Sequence, residues 1–142
     1  MNDNVVGIGH TAYTTDKMAD MLNFYCDILG FEHAFSLNDK EGKPWIEYIR
    51  VAGCQFIELF YAKEGFEPKQ GGAYSHLCIE VKDLMAMDKH LKANNIEVYW
   101  GPQQGMDKNW QCWAKDPNGN PIEFMQIDLE SPHAKAAGLT GK

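Results

Sequence analysis

Gly7-Ile8-Gly9-His10-Thr11-Ala12 sets a histidine in a run of small, apolar and β-branched residues, and 48 positions after it Phe56-Ile57-Glu58-Leu59-Phe60 sets a glutamate in a second such run. The pattern then repeats. His76, in Ser75-His76-Leu77-Cys78-Ile79, stands 47 positions before Glu123, in Pro121-Ile122-Glu123-Phe124-Met125. Strand alternation puts Phe56, Glu58 and Phe60 on one face, and Glu123, Met125 and Ile127 on one face. A carboxylate between such neighbours must bind a proton, pair with a cation or coordinate a metal, because burying it ionised and alone is too costly.

Outward from the first histidine, the stretch Val5 to Thr15 reads as a strand and Asp16 as a helix cap. Met18, Met21, Leu22, Tyr25, Ile28 and Leu29 recur at helical spacing, and Gly30 suits a left-handed C-terminal position, so a helix is expected over 17–29. Three strands follow, 32–37, 45–52 and 55–62, divided by Asn38-Asp39-Lys40-Glu41-Gly42 and by Gly53. The glycine- and charge-rich stretch 63–72 reads as a linker. The same order then restarts: a strand over 74–81, a cap at Asp83, a helix carrying Leu84, Met87 and Leu91 and ending near Asn94-Asn95, and strands over 97–100, 110–115 and 121–127. Asp116-Pro117-Asn118-Gly119-Asn120 suits a hairpin between the last two. Two modules, about 5–62 and 73–128, each strand-helix-three strands, make an α+β chain with a weakly patterned tail over 129–142.

A chain of 142 residues with 44% apolar content supports one sizeable core, so one domain of two similar modules is expected over 1–142. The net charge of -7 and pI near 5.1 leave no basic surface for phosphates, which disfavours nucleic acid and anionic membranes as partners. No apolar run reaches the roughly 18 to 20 residues of a membrane span, and Met1-Asn2-Asp3-Asn4 lacks the basic start of a leader, so a soluble, cytoplasmic protein is expected. Cys26, Cys54, Cys78 and Cys112 show no paired short spacing, and are expected as reduced thiols packed like small hydrophobes.

Two neutral imidazoles and two carboxylates at matched places, His10, Glu58, His76 and Glu123, form a dianionic set that one divalent cation neutralises. Nitrogen and oxygen donors without thiolate suit zinc, nickel, cobalt, manganese or ferrous iron. Four protein donors on a five- or six-coordinate ion leave room for water or a chelating substrate, as a catalytic site requires. His33, His90 and His133 lack a matched carboxylate, and surface or core roles are expected for them.

The four residues in this module order, with Phe24-Tyr25-Cys26-Asp27-Ile28-Leu29-Gly30-Phe31 closing the first helix and Asp116-Pro117-Asn118-Gly119 before Glu123, resemble the vicinal oxygen chelate superfamily, and most closely its glyoxalase I (lactoylglutathione lyase) group. The resemblance spans about residues 5–128. It implies a paired βαβββ fold, an open curved mixed sheet holding one divalent metal on its concave face, and a homodimer whose sites are shared between subunits. It implies a small-molecule substrate, an α-hydroxy carbonyl adduct of the hemithioacetal kind, isomerised through a metal-bound enediolate. Glu123 is then the general base, and Glu58 a ligand or the opposing acid/base.

Glutathione-dependent members carry an arginine four positions after the first histidine and an asparagine four after the first glutamate, where this chain has Thr14 and Ala62. Extradiol dioxygenases lack the carboxylate ligand at the place of Glu58, thiol transferases of the fosfomycin-resistance type use a three-ligand set, and methylmalonyl-CoA epimerases usually place glutamine there; these are the alternative metalloenzymes. A further alternative is a metal-free binder of the bleomycin-resistance kind, with Trp45, Tyr48, Trp100, Trp110 and Trp113 lining an aromatic groove. Asp107, Lys108 and Asn109 form a polar loop placed to close over substrate.

Overall fold

The computed structural model describes residues 2–68 and 73–139. The linker residues 69–72 and the tail's last residues, 140–142, lie outside the described residues. The chain divides into two compact units, Met1–Gln70 and Gly71–Lys142. Among the described residues no helix is long and apolar enough to cross a membrane.

The first unit runs β1 (His10–Thr15), α1 (Met18–Leu22), β2 (Glu32–Asn38), β3 (Pro44–Ala52) and β4 (Gln55–Tyr61). Its sheet has the order β1-β4-β3-β2, with β1 parallel to β4 and the other neighbours antiparallel. The second unit repeats that order as β5-β8-β7-β6, from β5 (Leu77–Glu80), α2 (Leu84–Ala93), β6 (Trp100–Gln104), β7 (Trp110–Lys115) and β8 (Pro121–Gln126). β5 again runs parallel to β8. Each unit is βαβββ, as expected from the sequence.

Several local expectations need correcting. The first strand begins only at His10, and Val5, Val6 and Ile8 are exposed rather than packed. Asp16 does not cap the first helix; the Thr15 hydroxyl, one residue earlier, accepts from the Lys17 amide at 2.9 Å. That helix does not stay α-helical to Leu29. After Leu22 it widens into π-helical turns over Asn23–Ile28, and the Leu29 amide donates to the Phe24 carbonyl five residues back at 2.9 Å. The wider turn buries two consecutive rings, Phe24 and Tyr25, in edge-to-face contact at 5.1 Å. Gly30 ends the helix at φ +74°, a conformation an L side chain disfavours.

In the second unit Asp83 caps α2 as expected, its side chain accepting from the Ala86 amide at 2.9 Å. The strand expected over 97–100 instead starts at Trp100 and continues to Gln104. Gly101, at φ +80°, is what lets β6 lie so near β7: an added Cβ would stand 2.5 Å from the Gln111 carbonyl oxygen. The tail is better ordered than its pattern suggests, because Ser131 caps a short α3 (Pro132–Ala136) by accepting from the Ala134 amide.

Each sheet has one core face. Ile49, Ile57 and Leu59 are fully buried in the first unit with Met21, Phe24 and Tyr25; Cys112, Ala114, Ile122 and Phe124 are buried in the second with Leu84 and Leu91. Side chains alternate along a strand, so Glu58 and Glu123 project from the opposite faces of their sheets. A helix covers the core side, and the other side carries Glu58 and Glu123.

Candidate metal centre

In the first unit the parallel register sets Ala12 beside Glu58 and His10 beside Phe56, so His10 and Glu58 share the non-core face. His10 Nδ1 lies 3.4 Å from Glu58 Oε1. In the second unit the equivalent register sets Cys78 beside Glu123, and His76, two residues before Cys78, reaches the same face. His76 Nε2 lies 3.1 Å from Glu123 Oε2. Both histidines stand at or just before a strand start rather than deep inside one. Both imidazoles remain partly open to solvent, while each carboxylate is largely covered.

These separations fit a shared cation. Two donors each about 2.1 Å from one ion, with an angle between 90° and tetrahedral, are roughly 3.0–3.4 Å apart. Each pair therefore has the donor types and the spacing of one edge of a coordination shell. Among the described residues neither unit gathers three such side chains; each brings together one histidine and one glutamate.

The support behind the two carboxylates differs. Antiparallel pairing of β3 with β4 places Tyr48 directly opposite Glu58, so that its phenol neighbours the Glu58 carboxylate. Desolvation, then the neighbouring Glu58 carboxylate, raises the Tyr48 phenol above its ordinary value of 10.0. Phe35 stacks on Tyr48 at 4.2 Å and holds the ring. Opposite Glu123 the same rung carries Trp113, whose ring meets His76 edge-on at 4.6 Å. The Trp113 indole N–H is spent on Gln111 Oε1 at 2.9 Å. Glu123 instead has the Cys78 thiol as hydrogen-bond neighbour. Desolvation and the adjacent Glu123 push that thiol up to about 12, although the residue still meets solvent.

Cys78 and Tyr48 are thus site residues that the sequence reading did not assign to the site. The expectation that the thiols pack as small hydrophobes holds for Cys112, which is buried, whereas Cys54 and Cys78 are exposed. Alternation was the available signal for Cys78, two positions after His76 on one strand.

Two other expectations change. Asn109 is not part of a free lid: it is fully buried, its amide donates to Asp107 at 2.8 Å, and its carbonyl accepts from the Asp128 amide at 3.0 Å. The loop 105–109 is pinned. His33 does have a carboxylate, Glu47, with Nε2 2.6 Å from Oε2. Glu47 faces the core, opposite Leu59, and is 6% exposed. Burial opposes its ionisation, but hydrogen bonds from Ser36, Tyr61 and His33 outweigh burial and hold the carboxyl below its ordinary 4.5. This cluster stands on the face away from the metal-type pairs.

Of the aromatic residues expected to line a groove, Trp100 and Trp113 do so with Tyr99 and Gln111, around a cleft of about 490 Å³ in the second unit. Trp45 meets Phe60 edge-on at 6.1 Å and Tyr48 stacks on Phe35.

Two βαβββ units, each with a histidine at its first strand and a glutamate on its last, define a protein of the paired-module chelate class. Residues 7–124 match the family described as Glyoxalase/Bleomycin resistance protein/Dioxygenase superfamily, and the chain belongs to that superfamily. Among its relatives, a probable lactoylglutathione lyase of Vibrio parahaemolyticus is 28% identical over 137 residues, covering 93% of this chain and 95% of the relative. Among solved structures, a lactoylglutathione lyase from Agrobacterium tumefaciens is 20% identical, covering 90% of this chain and 98% of that one, at a TM-score of 0.65. TnmS3, an antibiotic binding protein from Streptomyces, is 17% identical, covering 88% and 98%, at 0.71. The last two likenesses establish the fold.

Proposed function

We propose that the protein is a divalent-metal-dependent lyase or isomerase of the glyoxalase I type, acting on an α-hydroxy carbonyl adduct such as a hemithioacetal. The observation that carries this reading is the repetition of one His–Glu contact, at 3.4 and 3.1 Å, at equivalent places in both units. His10, Glu58, His76 and Glu123 would hold one ion of zinc, nickel, cobalt, manganese or ferrous iron. A bound ion supplies Lewis-acid polarisation of two adjacent substrate oxygens.

Glu123 removes the proton from the hydroxyl-bearing carbon and returns it to the neighbouring carbon, while the hydroxyl proton passes to the former carbonyl oxygen, so the adduct is isomerised with no change in its atoms. The support for assigning this role to Glu123 is the unequal backing of the two carboxylates. Glu58, facing a phenol, is the anchor; Glu123, beside a weak thiol donor, is freer to exchange partners as a base must. His10 and His76 orient the carboxylates. With Thr14 and Ala62 in place of arginine and asparagine, a thiol carrier other than glutathione fits the first unit better. We further propose a homodimer as the active unit, which size-exclusion chromatography with light scattering tests.

The decisive assay is elemental analysis of the purified protein, followed by isomerase measurements with methylglyoxal and several thiols in the presence of nickel, zinc, manganese and ferrous iron. Metal-dependent thioester formation is expected. A chain that neither contains nor takes up any of these ions overturns the reading. The aromatic cleft favours one second reading, a metal-free small-molecule binder, which metal-independent ligand retention without turnover would support.

A further inference from the structure

We infer that the second unit carries a subsite for a planar aromatic group, so that the proposed centre prefers an aryl-substituted α-hydroxy carbonyl compound to a small aliphatic one. The cleft is about 490 Å³ and is walled by Tyr99, Trp100, Gln111 and Trp113. The depression is open to solvent rather than enclosed, so it offers a ring a face to stack on rather than a sealed pocket. Three of its four walls are aromatic.

Its position ties it to the His76–Glu123 pair. Trp113 pairs directly with Glu123 on one side and with Trp100 on the other, so one row across the sheet runs carboxylate, indole, indole on a single face. Trp113 also touches the His76 ring at 4.6 Å. A molecule whose oxygens lie at His76 and Glu123 therefore extends its substituent along this row into the cleft.

The walls are prearranged. The bond from Trp113 to Gln111 fixes that indole, the Lys115 ammonium sits 5.6 Å from the centre of the Tyr99 ring, and Gly101 brings Trp100 close to β7. Trp100 is nevertheless 40% exposed. A solvent-facing indole beside a fixed one favours an offset-stacked or edge-on ring over a flexible alkyl chain, because ring quadrupoles add to burial.

This inference rests on the proposed function for the position of the chelating oxygens, but not for the aromatic selectivity, and the two are separable. Mandelate and lactate share the α-hydroxy carboxylate and differ in phenyl against methyl. Equilibrium dialysis of both, on zinc-loaded and on chelator-treated protein, is expected to show mandelate bound at least about tenfold more tightly, equal to about 1.4 kcal/mol. Trp100→Ala is expected to abolish the preference and Trp100→Phe to retain most of it, which separates loss of the ring from loss of folding. Preference for mandelate that is indifferent to zinc supports the subsite while counting against the metalloenzyme reading. Equal affinity for the two acids, or a preference unchanged in folded Trp100→Ala, overturns the inference.

Discussion

The first unit sets a phenol opposite its carboxylate, and the second sets an indole there. Both reach the same His–Glu contact through the same strand order, yet Glu58 faces a phenol across the rung whereas Glu123 faces an indole whose N–H is committed elsewhere and has a thiol as its neighbour. Repetition of an architecture has preserved where the donors stand while the neighbours have diverged. On the proposed function, that divergence assigns the two carboxylates different work, one as anchor and one as base.

The largest effect that would break this comparison comes from neutralising each carboxylate in turn. Glu123→Gln is expected to lower kcat by about 10²–10⁴-fold, the usual worth of a general acid/base, whereas Glu58→Gln is expected to act mainly through weaker metal retention. Steady-state kinetics at saturating metal read the difference; equal losses of kcat would remove the division of labour. Next is Tyr48→Phe, which deletes the hydroxyl beside Glu58. Such support behind a ligand is typically worth 10–100-fold in metal affinity, so metal titration is expected to show a loss of about tenfold with folding intact. The counterpart in the other unit, Cys78→Ser, keeps a donor at that place and is expected to change affinity by less than about threefold, since a hydroxyl donates at least as well as a thiol.

The strand that carries Tyr48 shows why part of the site was legible in the sequence and part was not. In the second unit, counting back from the hairpin Asp116–Asn120 pairs Lys115 with Pro121 and Trp113 with Glu123 without interruption. The same count in the first unit, from the Ala52–Gln55 pair, assigns Tyr48 to Leu59 on the core face. An irregularity between Arg50 and Ala52 shifts the register by one and delivers Tyr48 to Glu58. No residue pattern announces that extra residue, and a one-residue slip exchanges the two faces. The donors themselves were readable because alternation and matched spacing are properties of the chain alone. The π-helical turns, the Thr15 contact that replaces an Asp16 cap, and the buried Asn109 pin were not, since each depends on packing that brings distant backbone groups together.

Glu47 sharpens the comparison from the core side of the first sheet, with a smaller effect confined to stability. Its folded carboxyl titrates below the ordinary 4.5, so its ionised form contributes stability above the unfolded pKa, and that contribution is lost as pH falls through the folded value. Glu47→Gln is expected to cost about 1–3 kcal/mol at neutral pH. Denaturant melts across pH are expected to show the gap to wild type narrowing below about 4.5, with metal binding unaffected.

Divalent-ion content per chain is the most direct test of the matched pairs. On the proposed function, dialysis against zinc or nickel, followed by elemental analysis of wild type, His10→Ala and His76→Ala, is expected to give about one ion per chain in wild type and a large loss in either variant. Retention of full metal content in both variants, or no uptake by wild type, would contradict it.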